Sequence, residues 1–265
     1  MINFLKGEAY YLKKDSMFRG ICFMFLFASI LLLVWIGTQV GFDISSPAQP
    51  LTMATPLSLF LYFIIPIHAC FFATEGFEYG SVKNIIASGQ SRSSYIIGKY
   101  LTEIKVIIWW VFQFFGIFYA LYMAATLTTG SHIGNNNLSG DLITVFSALG
   151  FNILYLAAYS AIVMMVGMLV RKTASAVVIT FLIIFGDFML FGYLKDSSYA
   201  FLRMVSDNTL MTQIMKFSGM YVANSQHILL AGINDYIRVT LIPIIIVAIC
   251  LIVTLVSFEK RDIHT

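Results

Sequence analysis

Charge is what this sequence has least of. Only 11% of its 265 residues are Asp, Glu, Lys or Arg, where a soluble domain carries about 25%. So little polar surface cannot cover a fold in water, which excludes an ordinary soluble globular protein. Histidine is scarce as well. His68, His132, His227 and His264 form no HExxH pair and no Cys/His metal spacing, and a Gly-x-Ser-Gly nucleophile site is absent. Catalysis and metal binding therefore lack their usual groups. Cys22, Cys70 and Cys250 stand singly inside apolar runs and read as small packing residues. No G-x-x-x-x-G-K-(S/T) run occurs, so the chain holds no nucleotide by that route. Lys and Arg are nowhere interleaved with aromatics on a helix face, so no nucleic-acid partner is expected.

Apolar side chains are what is abundant: 59% of the residues, with a mean hydropathy of +0.86. They fall in six long runs, 20–40, 57–73, 106–126, 142–170, 174–193 and 239–258. Roughly 20 apolar residues cross a bilayer as a helix, and these runs lack the alternation of barrel strands. The expected fold is all-α, a polytopic membrane protein with six transmembrane helices in one domain over 1–265. The first run has no small-residue exit and is expected to be retained rather than cleaved. An even number of spans puts both termini on one side. Of the 16 cationic residues, only Lys195, Arg203, Lys216 and Arg238 then lie on the other. The positive-inside rule makes the termini cytoplasmic.

The connections carry further signals. Ile2, Leu5, Ala9 and Leu12 recur at helical spacing with Lys6, Lys13 and Lys14 off that face, so 1–19 is expected to be an amphipathic helix on the inner leaflet. The stretch 45–56, with three prolines, reads as a plain loop, and SHIGNNNLSG (131–140) as turn chemistry. The stretch 194–236 is longer than a connector needs to be. Phe201, Met204 and Val205, then Leu210, Met211, Ile214 and Met215, predict two short amphipathic helices capping the outer face. Ser206-Asp207-Asn208 supplies the N-cap between them.

The segment TEGFEYGSVKNIIASGQSRSSYIIGKY (74–100) is polar, with four glycines, between the second and third spans. Helical signals run from Glu75 to Ser88, with Gly89 as a C-terminal stop and Ser91 as the N-cap of the next helix. Val82, Ile85 and Ile86 make an apolar face, and Glu75 and Glu78 lie three apart on another.

At these residues the chain resembles the permease subunits of type-2 ATP-binding-cassette exporters. The matching run is Glu78-Tyr79-Gly80-Ser81, Lys83-Asn84-Ile85-Ile86, Gly89 and Ser91-Arg92, with Lys99 entering the third span. An amphipathic start, six spans and outer helices before the last span are similar too. The resemblance implies a bacterial cytoplasmic-membrane protein whose segment 74–100 is a coupling helix. Glu75, Glu78, Gly80, Lys83, Asn84, Gly89 and Arg92 would meet a separate ATPase subunit that holds ATP and Mg. It also implies a second permease subunit, identical or not. The substrate would be an amphipathic peptide, antimicrobial compound or lipid-like molecule, in export or self-protection.

Three positions inside the spans stand out. Asp187 is an intramembrane carboxylate, read either as part of a translocation path or as a hydrogen-bond anchor for the outer cap. His68 reads as a helix–helix hydrogen-bond partner or a path residue. Pro66 and Pro243 bend their helices, with gating as one use. Two other readings share the architecture: an ion-coupled secondary carrier, although no internal repeat is evident, and a non-transporting immunity or sensor subunit.

Overall fold

The computed structural model describes residues 2–134, 138–194, 197–218, 222–223, 226–227, 230 and 232–260, and these are overwhelmingly helical. Parts of the predicted 131–140 turn and of the 194–236 cap lie outside them. Six helices are long and apolar enough to cross a membrane, as a multi-pass membrane protein requires. A short helix, α1 (Ile2–Lys14), precedes the first of them, α2 (Ser16–Val40). The break between the two is chemical: Asp15 is extended, and its carboxylate accepts from the Met17 and Phe18 amides, capping α2. Residues 16–19 thus belong to the first span rather than to the interfacial helix.

The predicted loop 45–56 is instead ordered into the start of the second span. Pro50 and Pro56 stand in the first turns of α3 (Gln49–Ala54) and of a 3₁₀ segment (Thr55–Phe60), where a missing N–H costs nothing. These lead directly into α4 (Leu61–Glu78). Pro66 and Pro243 lie buried inside α4 and α11 (Ile233–Lys260), and each helix continues through its proline.

The third span, α6 (Arg92–Thr129), is much longer than the predicted 106–126. The fourth and fifth, α7 (Leu138–Val170) and α8 (Thr173–Leu194), meet at Arg171, whose left-handed φ of 58° makes the turn. The most buried spans are α4 and α7, packed against each other in the middle of the bundle. On one side α2 lies against α6; α8 covers α4 and α7, and α11 packs on α7 and α6. Trp110 is fully buried at the α2–α4–α6 junction. It stacks on Phe18, meets Phe25 edge-on, and donates through Nε1 to the Cys22 sulfur at 3.2 Å.

The α1 helix marks the proximal end of the bundle, and the opposite end is distal. The face by which α1 docks differs from the predicted one. Phe4, Leu5, Glu8 and Leu12 are turned inward, and Ala9 is exposed. The α1 helix therefore packs on protein, against the start of α6. A side chain at Gly98 would meet the Phe4 ring at 2.5 Å, so glycine there permits the close approach.

At the distal end, α9 (Ala200–Asp207) and α10 (Leu210–Ser218) form the two predicted cap helices. The N-cap of α10 is Thr209, which accepts from the Thr212 amide, rather than the Ser206–Asn208 run. Phe201 and Met204 on α9 are exposed, whereas α10 is buried from Leu210 to Met215. So α10 is sunk into the bundle instead of resting on it. A two-residue antiparallel pair, β1 (Val222–Ala223) and β2 (Gln226–His227), follows.

Candidate functional site

The polar segment between the second and third spans does not fold as one helix from Glu75 to Ser88. The α4 helix continues to Glu78, Gly80 turns left-handed at φ +69°, and a separate seven-residue helix, α5 (Ser81–Ala87), follows. Gly89 is also left-handed at φ +95°, and Ser91 caps α6 by accepting from the Ser94 amide, as predicted. Nothing crowds Gly80 or Gly89, so glycine is required there by conformation rather than by space. Val82 anchors α5, buried beneath Gly76, while Ser81, Asn84 and Ala87 are exposed.

This division redistributes the predicted coupling residues. Asn84 is presented on α5, beside the half-buried Lys83. Arg92 points back to the bundle, donating to the Phe258 and Glu259 carbonyls at 2.9 and 3.0 Å, where it caps the end of α11. Glu75 and Glu78 are not on α5 at all, because the helical repeat of α4 runs through them.

The α4 repeat instead turns His68, Phe71, Phe72, Glu75 and Glu78 onto one wall of a cavity of about 670 Å³. Asp15 and Met17, at the α1–α2 junction, form a second wall, and Thr173, Ala174 and Val177 of α8 a third. Glu75 accepts from the Tyr11 hydroxyl, Glu78 from the Thr173 hydroxyl, and Asp15 from two backbone amides. These donors are all uncharged. Among the described residues, no Lys or Arg lies within ion-pair distance of the three carboxylates. Burial, with the Glu75 carboxylate beside it, pushes the Tyr11 phenol well above its ordinary 10.0, so it keeps its proton as a donor.

Behind the cavity wall lies a polar cluster that sequence reasoning missed. His68 Nδ1 is 3.1 Å from the Glu103 carboxylate, with 2% and 0% of the two side chains exposed. Lys99, one turn before Glu103 on α6, donates to Glu8 of α1 at 2.9 Å. Its ammonium also sits 3.8 Å from the centre of the Phe72 ring, which in turn stacks on the His68 imidazole. Two i, i+4 pairs, His68/Phe72 and Lys99/Glu103, thus face each other between α4 and α6. His68 is the helix–helix partner its lone position predicts. The Lys99/Glu103 spacing was the available signal, but a third span read as starting at 106 left both outside the bundle.

Asp187 belongs to a different place. It lies at the distal end, accepting from the Tyr159 hydroxyl and, at 3.0 Å, from the Met211 amide in the first turn of α10. This is the cap-anchoring arrangement anticipated for it. Asp187→Ala is expected to cost about 1 kcal/mol, as loss of a helix cap does, and to loosen α10. Limited proteolysis across 200–218 checks this; Asp187→Asn should be cut more slowly than the alanine variant.

No protein-family model matches the chain, and no curated protein sequence matches it.

Proposed function

We propose that the chain is the membrane-spanning subunit of an ATP-driven exporter, coupled through 75–92 to a separate ATPase and moving an amphipathic substrate outward or off the membrane. One observation supports this reading above the others. The exposed helix α5 is joined by a left-handed glycine to the last turn of α4, and that turn carries the cavity wall. A force applied to α5 acts on Glu75 and Glu78 with one residue pair between. ATP-driven closure of a partner dimer is a rigid-body motion of the kind such a connection transmits. In this reading the termini are cytoplasmic, the proximal end faces the ATPase, and a second permease subunit lies beside this one.

The test is co-purification with a co-expressed ATP-binding-cassette ATPase subunit, using variants on the exposed face of α5. Asn84→Arg and Ala87→Trp should each weaken ATPase retention at least tenfold while membrane insertion stays normal. Retention at the wild-type level in both removes the coupling role. Glu78 and Arg92 are poor probes of docking, because one lines the cavity and the other holds the end of α11.

The His68–Glu103 pair favours a second reading, an ion-coupled carrier, since buried ionisable pairs in spans serve proton relays. Uptake in proteoliposomes driven by a pH gradient without ATPase separates the two.

A further inference from the structure

Three carboxylates converge on the proximal cavity, and among the described residues no Lys or Arg lies within ion-pair distance of them. Each accepts from a neutral donor, which orients the oxygens without forming an ion pair at Asp15, Glu75 or Glu78. At the back of the cavity, His68 is 98% buried. Its Nδ1 is taken by Glu103, while among the described residues its other ring nitrogen, Nε2, has no hydrogen-bond partner. Most of the remaining wall is apolar or aromatic: Phe71, Phe72, Tyr79, Met17 and Val177. Phe71 and Tyr79 are exposed, so ring surface is available to a ligand. Carboxylates beside open aromatic rings form the environment that attracts a desolvated organic cation, by ion pairing and by the ring quadrupole. The volume of about 670 Å³ falls within the range that holds a drug-sized molecule.

We propose that this cavity binds a cationic amphiphile, a molecule with one positive centre and an apolar body. The positive centre lies among Asp15, Glu75 and Glu78, and the body against Phe71, Tyr79 and Val177. An anion of the same shape is repelled by the three carboxylates, and a strongly hydrated small cation gains nothing from the rings. Calling this ligand a transported substrate rests on the exporter reading; the binding itself does not.

Tetraphenylphosphonium and tetraphenylborate, which share a shape and differ in sign, are the probes. With the purified full chain in nanodiscs, and titrations into empty nanodiscs of the same lipid subtracted, calorimetry should show protein-dependent tetraphenylphosphonium binding at least tenfold tighter than tetraphenylborate, and weakening as salt rises. Glu75→Gln/Glu78→Gln, nearly isosteric, should lose at least tenfold in tetraphenylphosphonium affinity while eluting and melting like the wild type. Should the double variant melt early, Phe71→Ala supplies the independent arm, expected to lose threefold or more at unchanged salt dependence. Equal binding of the two ions, or wild-type affinity in the folded double variant, overturns the proposal. ATPase retention measured on the same preparations keeps the two failures apart. A chain that retains the ATPase without binding the cation loses only this inference, and one that binds the cation without an ATPase loses only the exporter reading.

Discussion

His68→Ala is expected to destabilise the folded bundle by about 1–3 kcal/mol, the range for leaving a buried hydrogen-bonding group without its partner. The cause is the group left behind. Glu103 has none of its side chain exposed, and His68 is the partner the structure gives it, so the deletion strands a carboxylate between α4 and α6. Glu103→Gln keeps the shape and a hydrogen-bonding group and should cost no more than about 1–2 kcal/mol, as an ordinary buried hydrogen bond does. The double variant His68→Ala/Glu103→Gln should recover part of the single-variant loss. Thermal unfolding in one detergent, run as a double-mutant cycle, measures the coupling. Ordinary interhelical hydrogen bonds in membranes average about 0.6 kcal/mol by that method. A coupling near 2 kcal/mol or more marks an electrostatic pair, and one near 0.6 kcal/mol reduces it to a plain hydrogen bond.

Lys99→Ala is expected to release α1 rather than to unfold the protein. The Lys99–Glu8 pair is nearly as buried as His68–Glu103, with 7% and 9% of the side chains exposed. Its energetics differ because Glu8 sits on a 13-residue helix that can lift away and carry its carboxylate into water. The loss is therefore capped at the free energy of docking α1, which also includes Phe4 over Gly98 and the buried Leu12. A cysteine placed at Leu12 should change from protected to freely labelled by a water-soluble maleimide, at least tenfold faster than in the parent. The charge-exchanged pair Glu8→Lys/Lys99→Glu should restore protection in part. Full recovery is not expected, since the ammonium would leave its place over the Phe72 ring. Unchanged labelling in Lys99→Ala would mean that apolar packing alone holds α1.

The existence of the six spans was legible because long apolar runs have few other uses, and their ends were not. The third span shows why. Lys99, Glu103 and Lys105 break the hydropathy of 92–105, yet that stretch is helical and half of it is buried, because Glu8 and His68 supply Lys99 and Glu103 with partners from helices distant in sequence. A window along the chain sees the charges and not the partners. The same limit applied to Glu75 and Glu78, whose residue types suit a docking helix as well as a cavity wall. Gly80 was the local clue that α4 ends there, and it became decisive only once its left-handed φ was seen. At the other end, Asp187 was readable as a cap anchor because a lone carboxylate near the end of a span needs a donor. The tyrosine and the backbone amide that serve it come from 28 and 24 residues away. Phe4 and Glu8 were missed on α1 because its docking face points at another helix rather than at lipid.

The 38 residues of α6 rise about 57 Å at 1.5 Å per residue, nearly twice the roughly 30 Å of hydrocarbon in a bilayer. With its apolar stretch after Lys105 occupying the hydrocarbon, the surplus length falls at the proximal end. The Lys99/Glu103 turn then lies close to the level of the lipid headgroups. Most of the transmembrane electric field falls across the hydrocarbon, at about 2.3 kcal/mol per charge for a complete crossing at 100 mV. A charge moving on or off this cluster traverses only a small part of that drop. Membrane voltage accordingly has little hold on the His68–Glu103 and Lys99–Glu8 pairs, and a voltage-sensitive step in this protein would have to draw its charge movement from elsewhere.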